Sequence, residues 1–140
     1  MFNKKRVLGI IPARGGSRRL VGKNITDLCG KPLIGWTIEA GQASNILDKL
    51  VVSTDNVDIE NVAIKWGVDE VVQRSTYLSG DNATTNDVVL EVLNSLENRG
   101  DEFGYIVLLQ PTSPLRTEDH IREAFGLLDK RGGIGVVSVS

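Results

Sequence analysis

The sequence contains one cysteine and one histidine among its 140 residues, and these scarcities exclude several kinds of site. Because Cys29 has no second cysteine to pair with, the chain forms no internal disulfide and no cysteine zinc cluster. His120 alone rules out a metal site built from several histidines of this chain. No apolar run approaches the length of a membrane span, and no signal peptide is visible. We therefore expect a cytoplasmic protein with no membrane partner.

Excess charge of one sign is also scarce, since 16 lysines and arginines nearly balance 18 acidic residues and leave a net charge of −2. A chain without a strong positive field is not expected to bind nucleic acid. The cations are nevertheless unevenly distributed. The first 24 residues hold Lys4, Lys5, Arg6, Arg14, Arg18, Arg19 and Lys23. This concentration favours a local anionic ligand over a long polyanion.

The segment 10–24 carries the strongest functional signal in the chain. An apolar run from Val7 to Ile11 stops at Pro12. The turn that follows holds three glycines and four cations, namely Gly15, Gly16, Gly22, Arg14, Arg18, Arg19 and Lys23. Glycines let the backbone approach a ligand, successive amides form an anion-binding concavity, and the cations add charge against phosphate oxygens. The pattern predicts a strand that ends in a phosphate-binding loop, and the alternative is a basic surface loop.

The spacing within this loop excludes two familiar phosphate-binding motifs. A Walker A loop needs four residues between its glycines and a hydroxyl residue after the lysine. Here five residues separate Gly16 from Gly22, and Asn24 follows Lys23. A dinucleotide fingerprint needs Gly-x-Gly-x-x-Gly, whereas Gly15 and Gly16 are adjacent. The spacing therefore disfavours a Walker-type ATPase and a dinucleotide-dependent oxidoreductase.

Apolar runs alternate with helical patterns along the rest of the chain. Strands are predicted over 6–11, 49–53, 70–73, 105–109 and 135–140, and helices over 32–44, 57–66, 85–96 and 117–130. This alternation is typical of an α/β fold with a three-layer, Rossmann-like, mainly parallel sheet, here as one domain over 1–140. Since no element follows the last strand to cover it, we expect the domain to be incomplete at its C-terminus.

Ligands of such sheets bind at the carboxyl ends of the strands, which gathers the loops 12–24, 54–56, 74–85 and 110–116 at one edge. Arg74 is placed to meet a phosphate or a base, although Thr84 or Thr85 could simply cap a helix. Gln110 suits recognition of a base or a sugar hydroxyl, although its two-proline segment could be only a rigid turn. For Asp55 we slightly favour a turn or helix cap over a ligand or metal contact.

Five segments, taken in order, resemble the acylneuraminate cytidylyltransferase family, the CMP-sialic acid synthetases. They are Ile11-Pro12-Ala13-Arg14-Gly15-Gly16-Ser17, Gly22-Lys23-Asn24, Gly30-Lys31-Pro32-Leu33-Ile34, Val51-Val52-Ser53-Thr54-Asp55 and Leu108-Leu109-Gln110-Pro111-Thr112-Ser113-Pro114-Leu115-Arg116. Their order and spacing match the family across nearly the whole chain. The resemblance implies a fold of the nucleotide-diphospho-sugar transferase type.

The resemblance also implies an activity, in which CMP is transferred from CTP to the anomeric hydroxyl of a sialic-type nonulosonic acid and pyrophosphate is released. By this analogy, Arg14 and Lys23 are the catalytic residues. The nucleotide-binding residues are Ala13, Arg14, Gly15, Gly16, Ser17, Arg18, Asn24, Arg74, Thr85 and Gln110, and the sugar-binding residues are Gln110, Thr112 and Ser113. Mg²⁺ or Mn²⁺ is the expected cofactor, with its protein ligands past residue 140, and the full-length protein is expected to be a homodimer.

The loop departs from the family pattern at three positions, and these departures bear on the choice of sugar. The family has lysine where Arg18 stands, glycine where Arg19 stands, and proline near Val21. The same chemistry on pseudaminic, legionaminic or 3-deoxy-octulosonic acid therefore remains an alternative. A catalytically silent nucleotide-binding fragment is the alternative outside enzymes. If residues 1–140 are the whole protein, we expect weak nucleotide binding and poor turnover.

Overall fold

Five strands form one parallel sheet in the computed structural model, which describes residues 6–13, 27–28, 31–73, 85–109 and 136–139. In chain order the elements are β1 (Val7–Pro12), β2 (Asp27–Leu28), β3 (Lys31–Pro32), α1 (Leu33–Ala43), β4 (Lys49–Thr54), α2 (Val57–Lys65), β5 (Glu70–Gln73), α3 (Thr85–Glu97), β6 (Tyr105–Leu109) and β7 (Val136–Val139). The sheet has the order β5-β4-β1-β6-β7, and every neighbouring pair is parallel. The predicted α/β fold is confirmed.

Both faces of the sheet are covered, which explains why its strands read as nearly continuous apolar runs. Successive side chains of a strand point to opposite faces. In β1, Val7 and Ile11 face a core shared with α1 and α2, whereas Leu8 and Ile10 face a second core shared with α3. Among the described residues, α1 and α2 form one layer, the sheet the second and α3 the third, in agreement with the predicted three-layer fold.

The structure buries the sides of α1 and α3 on which the sequence spaces apolar residues three and four positions apart. In α1, Ile34 and Ile38 are fully buried. In α3 the buried residues are Val88, Val89, Val92 and Leu96, and Leu93 packs against the same core. The spacing of three and four residues places these side chains on one side of a helix. The amphipathic pattern alone thus identifies the sheet-facing side of both helices.

The helix α2 ends at Lys65, and Gly67, just beyond its C-cap Trp66, terminates it. Gly67 has a φ of 93°, a left-handed conformation that is costly for residues with a Cβ. Its N–H donates to the carbonyl of Ile64 at 3.0 Å, and the Val68 N–H donates to the carbonyl of Ala63 at 3.2 Å. These two bonds form the glycine-terminated C-cap in which otherwise orphaned carbonyls are satisfied.

A small antiparallel sheet, β2–β3, was not expected from the sequence. It pairs Asp27 with Pro32 and Leu28 with Lys31. Two residues per strand are too few for any periodicity to appear in the sequence. The strands β5 and β6 have the predicted bounds, and β7 lies within the predicted 135–140. The helix predicted over 117–130 falls outside the described residues.

At the amino edge of the sheet, where its strands begin, two aspartates repeat the same contact. The N–H of Asp48 donates to the Val7 carbonyl at 2.8 Å, and its carboxylate accepts from the Val7 N–H at 2.7 Å. The N–H of Asp69 donates to the Leu50 carbonyl at 2.9 Å, and its carboxylate accepts from the Leu50 N–H at 2.7 Å. Asp48 precedes β4 and satisfies the N–H and carbonyl of Val7 at the start of β1. Asp69 precedes β5 and satisfies the same two groups of Leu50 near the start of β4.

An ion-pair network lies at the same edge. The Lys49 ammonium is 2.8 Å from the carboxylate of Asp101 and 3.8 Å from that of Glu70. Arg6 also pairs with Asp101, and Arg99 forms a two-pronged pair with Glu70. The hydrogen bond from Arg99 lowers the pKa of Glu70. The hydrogen bonds from Lys49 and then Arg6 lower the pKa of Asp101.

Candidate functional site

The order of the strands indicates where a ligand would bind. From β1 the chain crosses to β4 and β5 on one side, and it later returns to β6 and β7 on the other. Winding therefore reverses between β1 and β6, and ligands of open parallel sheets bind beyond the carboxyl ends of the strands at such a reversal. The candidate site accordingly lies beyond Pro12 and Leu109. In the sequence, the predicted ligand-binding loop 12–24 begins at Pro12, and the loop 110–116 follows Leu109 directly.

Ala13 is held in place at the point where the chain leaves β1. Its N–H donates to the carbonyl of Ser53 at 2.9 Å, which extends the β1–β4 ladder by one residue. Its methyl group is fully buried within the core that faces α1 and α2. A role of Ala13 in nucleotide binding would therefore use its backbone carbonyl rather than its side chain. The Ser53 side chain is also fully buried at this edge.

The end of β4 is shaped by a chain of short side-chain contacts. The buried hydroxyl of Thr54 accepts from the Asn56 N–H at 3.1 Å. The Asn56 side chain accepts from the N–H groups of Asp58 and Ile59 at 2.9 and 3.0 Å, and it thereby caps α2. Of the two structural roles favoured for Asp55, the helix cap is wrong, because the cap is the next residue, and Asp55 lies in the turn between β4 and α2. An asparagine immediately before an amphipathic pattern is the signal that identifies it.

Asp55 itself is exposed at the carboxyl edge, directly after β4. A carboxylate can accept hydrogen bonds from hydroxyl groups, and a ligand role for Asp55 stays a prediction. The structure therefore assigns the capping of α2 and the exposed charge of this turn to two different residues. Asn56 organises the helix, and Asp55 carries the negative charge of the turn.

Thr85 is the first residue of α3, and α3 runs from the carboxyl toward the amino edge. The Leu96 carbonyl accepts from the Asp101 N–H at 3.0 Å, so the last turn of α3 adjoins the amino-edge ion-pair network. Thr85 lies about 18 Å along the helix axis from Glu97, the last residue of α3. The remaining predicted site residues lie outside the described residues: Arg14, Gly15, Gly16, Ser17, Arg18, Lys23, Asn24, Arg74, Gln110, Thr112 and Ser113.

Within the described ranges, no group of three or more histidine, cysteine, aspartate or glutamate side chains is arranged to hold a metal ion. The placement of the metal ligands past residue 140 stays a prediction. In the same ranges, no helix combines the length and apolar character that crossing a membrane requires.

Comparison with known proteins agrees with this geometry. Residues 8–136 match the model of the family described as Cytidylyltransferase. A CMP-N,N'-diacetyllegionaminic acid synthase of Legionella pneumophila is 42% identical over 135 residues, covering 96% of this chain and 58% of the relative. A pseudaminic acid cytidylyltransferase of Campylobacter jejuni is 39% identical, and the match covers 84% of this chain and 51% of the relative. An N-acylneuraminate cytidylyltransferase of Streptococcus agalactiae is 42% identical, covering 94% and 31%. The chain thus spans between about a third and just over half of these relatives.

Solved structures show the same fold. A cytidylyltransferase from Leptospira borgpetersenii is 25% identical with a TM-score of 0.68, covering 91% of this chain and 50% of that one. A CMP:2-keto-3-deoxy-manno-octonic acid synthetase complexed with CTP is 23% identical with a TM-score of 0.77, covering 91% and 49%. The arrangement of the sheet and helices is therefore shared with proteins much less similar in sequence.

Proposed function

The chain belongs to the cytidylyltransferase family, and from this premise we propose that it forms the nucleotide-binding part of an enzyme that transfers CMP from CTP to a sialic-type nonulosonic acid. The observation that carries the proposal is the strand order. It brings the ends of β1 and β6 together at the reversal of winding, and the two segments predicted to bind nucleotide and sugar follow these ends. The relatives support the substrate class, since three of them are named for nonulosonic acids.

In the proposed reaction, the oxygen of the anomeric 2-hydroxyl attacks the α-phosphorus of CTP in line. A phosphorus–oxygen bond to the sugar acid forms, the bond to the β-phosphate oxygen breaks, and pyrophosphate leaves, while the hydroxyl proton passes to a base or to water. Such a transfer requires positioning and charge neutralisation rather than covalent catalysis. We assign charge neutralisation to Arg14, Lys23 and the backbone amides of 15–17.

The remaining predicted residues are assigned to recognition. Arg18 would add charge beside the phosphates. Asn24, Arg74, Thr85 and Gln110 would contact the nucleotide, and Gln110, Thr112 and Ser113 would contact the sugar acid. The divalent cation, Mg²⁺ or Mn²⁺, would screen the triphosphate when bound. No described side chain is assigned to it, because the described residues form no three-ligand cluster. We propose that the enzyme acts in the cytoplasm as a homodimer.

Pyrophosphate release tests the proposed reaction directly. The full-length protein, of which these residues are proposed to form the nucleotide-binding part, is incubated with CTP, Mg²⁺ and, in separate reactions, N-acetylneuraminate, legionaminate, pseudaminate and 3-deoxy-octulosonate. Release with one of the first three sugars supports the proposal and identifies the substrate. Release with 3-deoxy-octulosonate alone would show that the enzyme acts on that acidic sugar and not on a sialic-type nonulosonic acid. CTP binding without release in any reaction would contradict the proposed activity and favour a silent nucleotide-binding module.

A further inference from the structure

The helix α2 carries two large apolar side chains on the face that points away from the sheet. Val57 and Ile64 are 65% and 60% exposed, and their spacing of seven residues places them on one side of the helix. The buried residues Ile59 and Ala63 lie on the opposite side. Single exposed apolar residues are common, but a pair at this spacing on one helix face is typical of a helix that packs against a partner.

The same face carries one unpaired charge of each sign. Asp58 lies in the first turn of α2 and Lys65 in its last turn, and both are exposed. In the part of the chain that the structure describes, neither side chain forms an ion pair. About 10 Å of helix axis separates the two residues, which is too far for them to pair with each other. The neighbouring Glu60, by contrast, accepts from the Gln73 side chain at 3.0 Å.

This face is complementary to a second copy of itself. When a twofold axis relates two antiparallel helices, a residue near the start of one lies opposite a residue near the end of the other. With the axis near Asn61, Val57 of each copy lies opposite Ile64 of the other, and Asp58 lies opposite Lys65. Symmetry makes each pair occur twice. Asn61 is also exposed, and its amide both donates and accepts, so it can pair with its own copy across the axis.

We propose that two copies of this chain associate through the α2 face formed by Val57, Asp58, Asn61, Ile64 and Lys65. Burial of two apolar side chains per copy drives the association, and the charge pairs and Asn61 set the antiparallel register. Because α2 has nine residues, this contact is smaller than a standard interface of about 1,600 Å². We therefore expect association that depends on protein concentration. The inference goes beyond the proposed CMP transfer and does not depend on it.

Analytical ultracentrifugation of the full-length protein tests the apolar part of the α2 face. The wild type and Ile64→Asp are compared over roughly a hundredfold range of micromolar concentrations. Ile64→Asp places a charge where the partner copy would cover it, so it should halve the mass of the assembly at concentrations where the wild type associates. Leu90→Asp is the matched control. Leu90 is 56% exposed on α3, on the other side of the sheet, and its variant should keep the wild-type mass.

Charge reversal tests the antiparallel register. Asp58→Lys and Lys65→Asp each place like charges opposite each other in both symmetric pairs, and each should weaken association about tenfold. The double variant, Asp58→Lys with Lys65→Asp, restores opposite charges across the axis and should recover the wild-type affinity. The native charges also stabilise the ends of α2, so the double variant should have a lower Tm than either single variant. Recovered affinity with a lowered Tm therefore separates association from helix stability.

Several results would overturn the inference. If Ile64→Asp has the wild-type mass at every concentration, copies of the chain do not meet through α2. If it keeps that mass and loses Tm, another part of the full-length protein covers the helix. If Leu90→Asp dissociates the assembly equally, or if the double charge reversal is as weak as the single ones, the twofold pairing is wrong. These measurements use neither CTP nor turnover, so their failure is distinguishable from failure of the proposed function.

Discussion

The two edges of the parallel sheet use their polar side chains differently. At the amino edge, Lys49 and Asp101 neutralise each other, and Asp48 and Asp69 satisfy the backbone at the starts of β1 and β4. At the carboxyl edge, Ala13 is fixed by a backbone hydrogen bond, and the predicted ligand-binding residues follow in the sequence. Charges that are paired within the chain stabilise it. Charges aligned beyond the strand ends are expected to be paired by a ligand.

The comparison also governs how the pKa shifts are interpreted. A shifted carboxyl pKa often marks a catalytic group, yet ion-pair networks produce the same shift. The lowered pKa values of Glu70 and Asp101 arise from Arg99, Lys49 and Arg6 at the amino edge. These two lowered pKa values therefore reflect ion pairs that stabilise the fold and do not mark a catalytic group. Substitutions at the two edges should accordingly separate ligand affinity from stability.

The largest expected effect is the loss of CTP binding in Arg14→Ala. Removing a charged donor to phosphate should weaken CTP binding about 100-fold or more, with little change in Tm. Calorimetry with CTP measures the affinity, and thermal unfolding measures the Tm. Arg99→Ala, an arginine of the amino edge, is the control and should bind CTP normally. Unchanged CTP affinity in Arg14→Ala would refute the role assigned to that residue.

Asp69→Ala should produce the opposite pattern. It leaves the backbone N–H of the buried Leu50 without its carboxylate acceptor, which should cost about 1–2 kcal/mol of unfolding free energy. Urea denaturation measures this loss, and KM for CTP should stay unchanged. Asp69→Asn keeps an acceptor oxygen and should recover most of the stability. A raised KM for CTP in Asp69→Ala would show that the two edges are not independent.

Asn56→Ala sharpens the comparison because Asn56 is a structural residue at the carboxyl edge. Losing the cap of α2 should cost about 1 kcal/mol of unfolding free energy. Asn56→Asp retains a capping oxygen and should be close to wild type. Asp55→Ala should cost less than Asn56→Ala in the same urea titration. The reverse order would mean that Asp55 contributes more to this turn than its exposed position indicates.

The smallest expected effect is the pH-dependent loss of unfolding free energy in Asp101→Asn. Because Lys49 and Arg6 lower the pKa of Asp101 in the folded chain, its carboxylate stabilises the fold above the unfolded-state pKa, and the stabilisation disappears as the pH falls through the lowered value. Asp101→Asn should thus cost about 0.2–1 kcal/mol at neutral pH. Its difference from wild type should shrink below about pH 4 and in 1 M salt. A difference that is constant from pH 7 to pH 2 would contradict this origin.

Much of the fold follows from local patterns. The bounds of β5 and β6 are those predicted, and the buried faces of α1 and α3 are those that the apolar spacing identifies. The ribbon β2–β3 could not be predicted, because two-residue strands have no periodicity and their pairing is set by the tertiary structure. The aspartate contacts at the amino edge were missed for a similar reason. Asp48 and Asp69 look like ordinary loop residues until the strands lie side by side.

The candidate site was predictable in part. Ala13 and Thr85 lie at the end of β1 and the start of α3, respectively, and the roles assigned to the residues of 14–24, Arg74 and 110–113 stay predictions. The sequence offered a turn or a helix cap as the role of Asp55, and the structure gives the cap of α2 to Asn56. The difference arises because the cap is chosen by backbone geometry. The Thr54 hydroxyl accepts the Asn56 N–H and sets the turn in which the asparagine reaches the first helical N–H groups.

By itself, the sequence determined the alternation of strands and helices, the faces that they bury, and the family resemblance carried by five ordered segments. These properties are local, since the periodicity of an element and the chemistry of a loop depend on residues that are close together in the sequence. Only the tertiary structure decided the order β5-β4-β1-β6-β7, and with it the reversal between β1 and β6. It also decided that Lys31 meets Trp36 and Glu39. The pairing of strands and the docking of the β2–β3 ribbon depend on how several elements pack at once, which no single segment of the sequence specifies.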